Sequence, residues 1–563
     1  MEKNNNPASI NSEESIGIKK SIYIKHAIKT HHGLLKGIEI SKNQFFTLYL
    51  ISLCFALIIT IDIFLNFESG QNQIRLSLGI FLIIGLVLGF VSGGFIFDRM
   101  KGKRYPVLLI LILISAIITM SHIGFFRRAS DVIPGILFLE SSFVAGLLFI
   151  LFLIFFLDKT SILERGRILS LLISFLSISV VIVFLLVSTD ILILLPVIIF
   201  IGAFYYLYKN RKKEEPYKPI KKESTKREIN LDIIKYIIIL SLFALTIGLM
   251  FPEEEILGHN FFDWSQFQVI IIIFLAFLFS LLTAMIVGLI FDFMGRKIVI
   301  SNIILTISVV NFIKLFDIKI GFFNVALIVI AVLANFISIP LLMADIAQRK
   351  NLGKVLGITY STNIICMILG IFIETIISRL LINKSFASMF LIGIINFVSI
   401  VSLFFLVNSK ETLSSKEQNW SDTMIHLYVI YHSGLLLYEH SFRKIEENLA
   451  ESELISGGFV GLIQMLQEIT KEKQRLRIID HGGKKILFGY TQGKKLIIAL
   501  LITEELLVLR TKLDCFIQDI ENRYSKDLDN LEYIDQNLWE ERIAPILKKY
   551  FLQRYFELAP EFF

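Results

Sequence analysis

The sequence predicts a helical membrane protein of twelve spans in two halves of six, followed by a small soluble α/β domain. Three observations predict it. The chain of 563 residues is 55% hydrophobic, with a mean hydropathy of +0.70, outside the range of ordinary soluble domains. Its apolar residues fall into runs of about 20, long enough at about 1.5 Å per residue to cross a hydrocarbon core of about 30 Å. A charged motif closing one of these runs returns at the equivalent place in the second half.

From the N-terminus, segment 1–43 is basic. Its stretch IKKSIYIKHAIKTHHGLLK interleaves bases with apolar residues and fits either an amphipathic helix on an anionic leaflet or a disordered basic tail. No short apolar stretch with a small-residue cleavage site precedes the first long run, so that run is expected to act as its own insertion signal. The N-terminal half, 44–208, is expected to hold spans at 44–66, 73–97, 105–124, 135–157, 166–188 and 190–208. The C-terminal half, 232–408, holds them at 232–250, 267–291, 297–316, 321–344, 353–377 and 386–408. Between the halves, 209–231 is a polar, basic linker containing Pro216 and Pro219.

Lys and Arg set the orientation. The N-terminal segment and the even-numbered loops carry Lys36, Lys42, Arg99, Lys103, Arg104, Arg165, Arg167, Arg296, Lys297, Arg349 and Lys350. The odd-numbered loops carry scattered bases such as Arg127 and Lys319, and one of them, PEEEILGHNFFDWSQ, is acidic. Both termini and the linker are therefore expected on the cytoplasmic side of the cell membrane.

The repeated motif reads GGFIFDRMKGKR, Gly93–Arg104, between spans 2 and 3, and GLIFDFMGRK, Gly288–Lys297, between spans 8 and 9. A glycine four residues before an aspartate shares its helix face and lets a neighbouring helix approach closely. The carboxylate can then sit against that neighbour's positive N-terminus. A second glycine permits a tight turn, and the basic pair stays on the inner side.

This pattern resembles the signature of the major facilitator superfamily, over roughly 40–410. Gly288, Asp292, Gly295, Arg296 and Lys297 match it throughout; Gly94, Asp98, Arg99, Gly102, Lys103 and Arg104 match it with one residue inserted after Asp98. The resemblance implies two six-helix bundles around a central cavity, rocking by alternating access. It also implies that the first aspartate meets the start of span 11, QRKNLGKVLG, near Lys354. The second would meet the start of span 5, LERGRILS, near Arg165 or Arg167.

Ionisable residues inside spans are expensive and point to function. Asp62 in span 1, Glu140 in span 4 and Glu374 in span 11 are candidates for proton coupling or for binding a cationic group. Near the outer surface such groups can also simply be solvated. Asn335 in span 10 and Asn363 in span 11 can orient a substrate or hydrogen-bond between helices. Lys235 can snorkel. Cys54, Cys366 and Cys515 have no metal or disulfide spacing, nor do His432, His440 and His481. No catalytic constellation, cofactor motif or nucleic-acid motif stands out, so a non-enzyme is expected.

After a linker at 409–420 the composition becomes mixed and charged. Segment 421–563 reads as ββαβββα with an added helix. Its turns fall at Ser433-Gly434, Gly482-Gly483 and Gln492-Gly493. These turns are too short for crossovers, so the sheet should be antiparallel, and one of its faces is expected to carry the two longer helices. The order of elements, with ISGGFVGLIQ opening the first helix, resembles longin and roadblock domains. That implies a partner such as a small GTPase or a second tail; the tail has no phosphate loop of its own. Two functions fit. One is a secondary active transporter of a small solute with a regulatory tail. The other is a transporter-like anchor or sensor that recruits partners through that tail.

Overall fold

The computed structural model describes residues 40–68, 72–100, 103–125, 132–187, 194–211, 231–250, 281–313, 321–347, 351–381, 384–409, 412–413, 415–443, 452–470, 476–491, 493, 495–529 and 536–552. In the first half the helices are α1 (Lys42–Glu68), α2 (Asn72–Arg99), α3 (Arg104–Phe125), α4 (Val132–Lys159), α5 (Arg165–Val187) and α6 (Leu195–Asn210). In the second they are α7 (Leu231–Leu249), α8 (Leu281–Phe293), α9 (Arg296–Ile313), α10 (Gly321–Ile346), α11 (Leu352–Leu380) and α12 (Lys384–Val407). Among the described residues, nine helices are long and apolar enough to cross a membrane, with α6 and α8 as shorter apolar helices. The chain is a multi-pass membrane protein. The expected eighth span falls largely on 267–280, which lies outside the described residues, as do the N-terminal segment and most of the linker.

These segments are rich in Ile, Val and Phe, which have no strong helix preference in water. In hydrocarbon the helix is imposed, because each N–H and C=O must be paired within its own segment. Two surfaces result. Ile110, Ile117 and Met120 on α3, and Phe397, Ile400 and Phe404 on α12, are exposed toward the lipid, whereas Leu148, Phe149, Ile150 and Leu153 on α4 are buried. Helix α2 packs on α4 within the first half and α7 on α11 within the second, while α2 packs on α11 across the halves.

The tail forms a five-stranded sheet of β1 (Met424–Tyr431), β2 (Leu436–Ser441), β3 (Ile478–His481), β4 (Lys484–Tyr490) and β5 (Leu496–Ile502). The strand order is β2-β1-β5-β4-β3, and every pairing is antiparallel. Gly482 and Gly483 adopt φ of 57° and 78°, the left-handed pair that a two-residue hairpin requires. Helices α13 (Ser452–Thr470), α14 (Leu507–Asp529) and α15 (Gln536–Leu547) complete the tail.

The expectation that one sheet face carries both longer helices is corrected. Val460 and Ile463 of α13 pack with Tyr428, Ile430 and Ile497 on one face. Leu509, Phe516 and Ile520 of α14, with Trp539 and Ile543 of α15, pack with Leu427, Val429 and Leu500 on the other. The reason is in the central strands: β1 and β5 are nearly continuous apolar runs, buried on both faces. Moreover, the tail core starts before residue 421. Trp420 lies in that core, and Glu417 accepts hydrogen bonds from the N–H groups of Leu507 and Val508, at 2.7 and 2.9 Å, capping α14.

Candidate gate and candidate coupling site

Asp98 lies at the tail-side end of α2. Its carboxylate accepts hydrogen bonds from the main-chain N–H of Gly353 at 3.0 Å and of Lys354 at 2.9 Å. Asn351, at the N-cap of α11, makes no side-chain cap of its own, so a residue of the other half does that work. Asp292, at the end of α8, treats α5 the same way, accepting from the N–H groups of Gly166 and Arg167, each at 2.9 Å. Arg167 Nε reaches the same carboxylate at 3.4 Å. Both carboxylates meet the unpaired N–H groups and the positive end of a helix dipole.

The glycines make this approach sterically possible. A Cβ on Gly94 would lie 2.4 Å from the Gly353 carbonyl oxygen, and one on Gly288 would lie 2.4 Å from that of Gly166. Both are backbone contacts, which a rotamer change cannot relieve. Gly295, at φ 92°, lets the chain turn from α8 directly into α9.

The basic residues have other partners. Arg104 pairs with Asp158 at the end of α4, at 3.0 Å, and donates to the Phe97 carbonyl at 3.2 Å. Arg296, fully buried, pairs with Asp345 at the end of α10 and donates to the Leu341 carbonyl. Of the two arginines expected near Asp292, Arg167 reaches it and Arg165 reaches Asp345 at 3.4 Å, so Asp345 holds one arginine from each half. The Lys354 ammonium lies 5.4 Å from the Phe95 ring centre. Lys297 Nζ donates to the carbonyls of Val407 and Ser409, at 2.9 and 2.8 Å. Arg99 and Lys103 are exposed, and Gly102 lies outside the described residues.

Sequence reasoning missed Asp158 and Asp345. The signal was available: Asp158 precedes Gly166 by the same interval at which Asp345 precedes Gly353. The repeat therefore extends to the ends of α4 and α10. Deeper in the bundle, Phe90 and Phe149 of the first half meet Phe336 and Tyr360 of the second. The Phe149 ring centre is 4.9 Å from Tyr360 and 5.1 Å from Phe336. The two capped helix starts and this aromatic cluster join the two halves.

A second polar cluster sits at the opposite end of the first half. Asp62 Oδ1 lies 3.1 Å from His122 Nδ1, and Ser141 Oγ donates to Asp62 Oδ2 at 2.6 Å. Each of the three is no more than 2% exposed. Among the described residues they bring together α1, α3 and α4. His122 Nε2 has no hydrogen-bond partner among the described residues. His122 was missed because a single histidine in an apolar run has no spacing to flag it. Burying an unpaired carboxylate is costly, and the imidazole and the hydroxyl beside Asp62 are its polar neighbours.

The other candidates fare differently. Glu140 is exposed. Glu374 is buried and accepts from Ser378 Oγ at 2.9 Å. Asn335 and Asn363 hydrogen-bond each other at 3.0 and 3.2 Å, and Asn363 also donates to the Leu240 carbonyl at 3.0 Å. They tie α7, α10 and α11 together.

No family model and no curated protein matches the chain in sequence. Solved structures do match. A bacterial homologue of the iron transporter ferroportin, in an outward-facing state, aligns at 13% identity and a TM-score of 0.50, covering 65% of this chain and 98% of that one. The same homologue with soaked iron aligns at 12% identity and a TM-score of 0.50, with the same coverage. The human organic anion transporter MFSD10 aligns at 14% identity and a TM-score of 0.48, again over 65% and 98%. The membrane part has a transporter fold. At these identities the likeness concerns the fold alone.

Proposed function

We propose that the chain is a secondary active transporter of the major facilitator type, moving a small solute across the cell membrane by alternating access, with both termini in the cytoplasm. The observation that carries this reading is the doubled gate: each half contributes one aspartate that caps a helix of the other half, Asp98 on α11 and Asp292 on α5. Two caps made of hydrogen bonds between otherwise apolar bundles can be broken and remade as the halves rock. A static anchor has no need for such a seam in duplicate.

The buried Asp62–His122 pair is the coupling site in this reading, with Ser141 orienting the carboxylate. Protons enter from the side opposite the gate, and protonation removes the charge that would otherwise cross the membrane interior. The tail is a longin- or roadblock-like module that binds a small GTPase or a second tail; the β2-β1-β5-β4-β3 order supports that reading.

The test is flux in proteoliposomes. Thermal-shift screening of the purified protein against divalent metals and organic ions supplies a ligand, whose uptake is then driven by a pH gradient. Uptake that Asp62→Asn abolishes, with solute exchange preserved, supports coupled transport. Ligand binding without any flux, together with capture of a GTPase by the tail, would favour the anchor instead.

A further inference from the structure

We propose that the tail is a latch on the closed gate, and that the segment it grips is the α4–α5 turn of its own chain. The inference rests on the transporter reading for its role in a cycle, but its geometry is independent of that reading.

The turn runs from Thr160 to Glu164. It is internally braced: Glu164 Oε1 accepts the Ser161 N–H at 2.7 Å. Ile162 and Leu163 of this turn pack against the tail's apolar core, the one built on Trp420, Leu509 and Phe516. The turn belongs to the first half, and it leads directly into the α5 N-terminus that Asp292 caps.

The tail, by contrast, is fastened to the second half. Lys297, at the start of α9, binds the carbonyls that close α12. The Arg296 N–H donates to the carbonyl of Leu413, in the entry to the tail, at 3.4 Å, and Leu413 is buried. Arg296 also donates through Nη2 to the Ile162 carbonyl at 3.1 Å while pairing with Asp345. One buried arginine of the repeated motif thus touches Asp345, the turn of the opposite half and the tail entry. Negative charge on Asp345 also reaches Glu417, the cap of α14, and pushes its carboxyl up, after the larger effect of burial.

Opening the gate moves α5 away from α8 and α9. The tail moves with the second half, so Ile162 and Leu163 must leave its core. The docked tail therefore favours the closed gate, and by linkage the closed gate favours the docked tail. A partner that takes the same apolar seat with aliphatic side chains of its own releases the latch and favours opening.

The test uses the full-length protein in nanodiscs, with Ser174→Cys as reporter. Ser174 is buried on α5, its hydroxyl 3.4 Å from the Leu281 carbonyl of α8, so a thiol there reacts with a tail-side reagent only when the halves part. Cys366→Ser and Cys515→Ser remove background. The double variant Ile162→Ser/Leu163→Ser should raise the labelling rate about tenfold, equivalent to about 1.4 kcal/mol. Hydrogen exchange in β1 and β5 should stay slow, showing that the tail is still folded. Ile162→Val/Leu163→Met should restore slow labelling. An unchanged labelling rate in the serine variant overturns the latch, as does failure of the conservative pair to restore it. Faster labelling in a protein that moves no solute keeps the latch and sinks the transporter reading; solute flux with unchanged labelling does the reverse.

Discussion

Replacing Asp292 with Asn isolates one half of the gate. The carboxylate is 1% exposed and accepts two main-chain N–H groups at 2.9 Å and Arg167 Nε at 3.4 Å. The amide is isosteric but keeps only one acceptor oxygen, so one amide of the α5 N-terminus loses its partner and the charge facing Arg167 disappears. A hydrogen bond to a charged group contributes about 1.5–3 kcal/mol, and charge at a helix N-terminus about 0.3–1 kcal/mol. Relief from burying an anion offsets part of this, leaving about 2 kcal/mol against the closed state. At about 1.4 kcal/mol per factor of ten, the open fraction rises roughly 30-fold. The assay is tail-side labelling of Ser174→Cys, whose rate follows the open fraction when opening and closing are fast. A labelling rate in Asp292→Asn equal to that of the parent, with the same result for Asp98→Asn, would refute the assignment of the two carboxylates as gate caps.

Gly288→Ala should open the same seam sterically: its Cβ would meet the Ser170 hydroxyl at 2.3 Å and the Gly166 carbonyl at 2.4 Å, a clash of about 1–3 kcal/mol read as faster Ser174→Cys labelling and a lower melting temperature. The tail expressed as 415–563, which includes Glu417 and Trp420, should be soluble and melt cooperatively, whereas a start after Trp420 should lower its midpoint. That tail should also be acid-sensitive. Burial holds the His426 imidazole below its ordinary value, against the pull of Glu439 at 3.3 Å, and His440 shifts the same way through burial and through His426. Below about pH 6.5 the unfolded chain therefore binds more protons than the folded one, so stability falls on acidification through that window. His426→Asn should flatten the dependence of the melting temperature on pH between about 7.5 and 5.5.

Much of this architecture is legible in the chain because lipid leaves few choices: an apolar run of about 20 residues must become a helix. The GxxxD spacing is legible too, since one helix face must hold both the small residue and the acid. The resemblance points to the helix starts that the two acids meet, but the spacing does not say which groups there bind them. Asp98 and Asp292 meet main-chain amides, which carry no residue identity, so nearby bases such as Arg165 attract the eye while their side chains go elsewhere. Asp345 is visible only through its matched spacing with Asp158. In the tail, the run MIHLYVIY signals a strand, but its burial on both faces emerges only from the fold. The turn glycines were clear, but which helix covers which face depends on long-range packing. His122 is a case of a residue whose meaning exists only beside Asp62, from a helix far away in sequence.

Because β5 lies between β1 and β4, the tail sheet cannot close until β5 itself has left the ribosome. Strand β1 emerges first and waits, apolar on both sides, while α13, β3 and β4 are made. The helices that cover one face, α14 and α15, come after every strand of the sheet. Ile162 and Leu163, translated long before, stay uncovered through the rest of synthesis. A message truncated ahead of α14 would yield finished bundles joined to a sheet with one bare face, lying beside an unmatched loop. Such a product is a substrate for chaperones and proteases, so α14 and α15 act as the seal on quality control for the strands made before them.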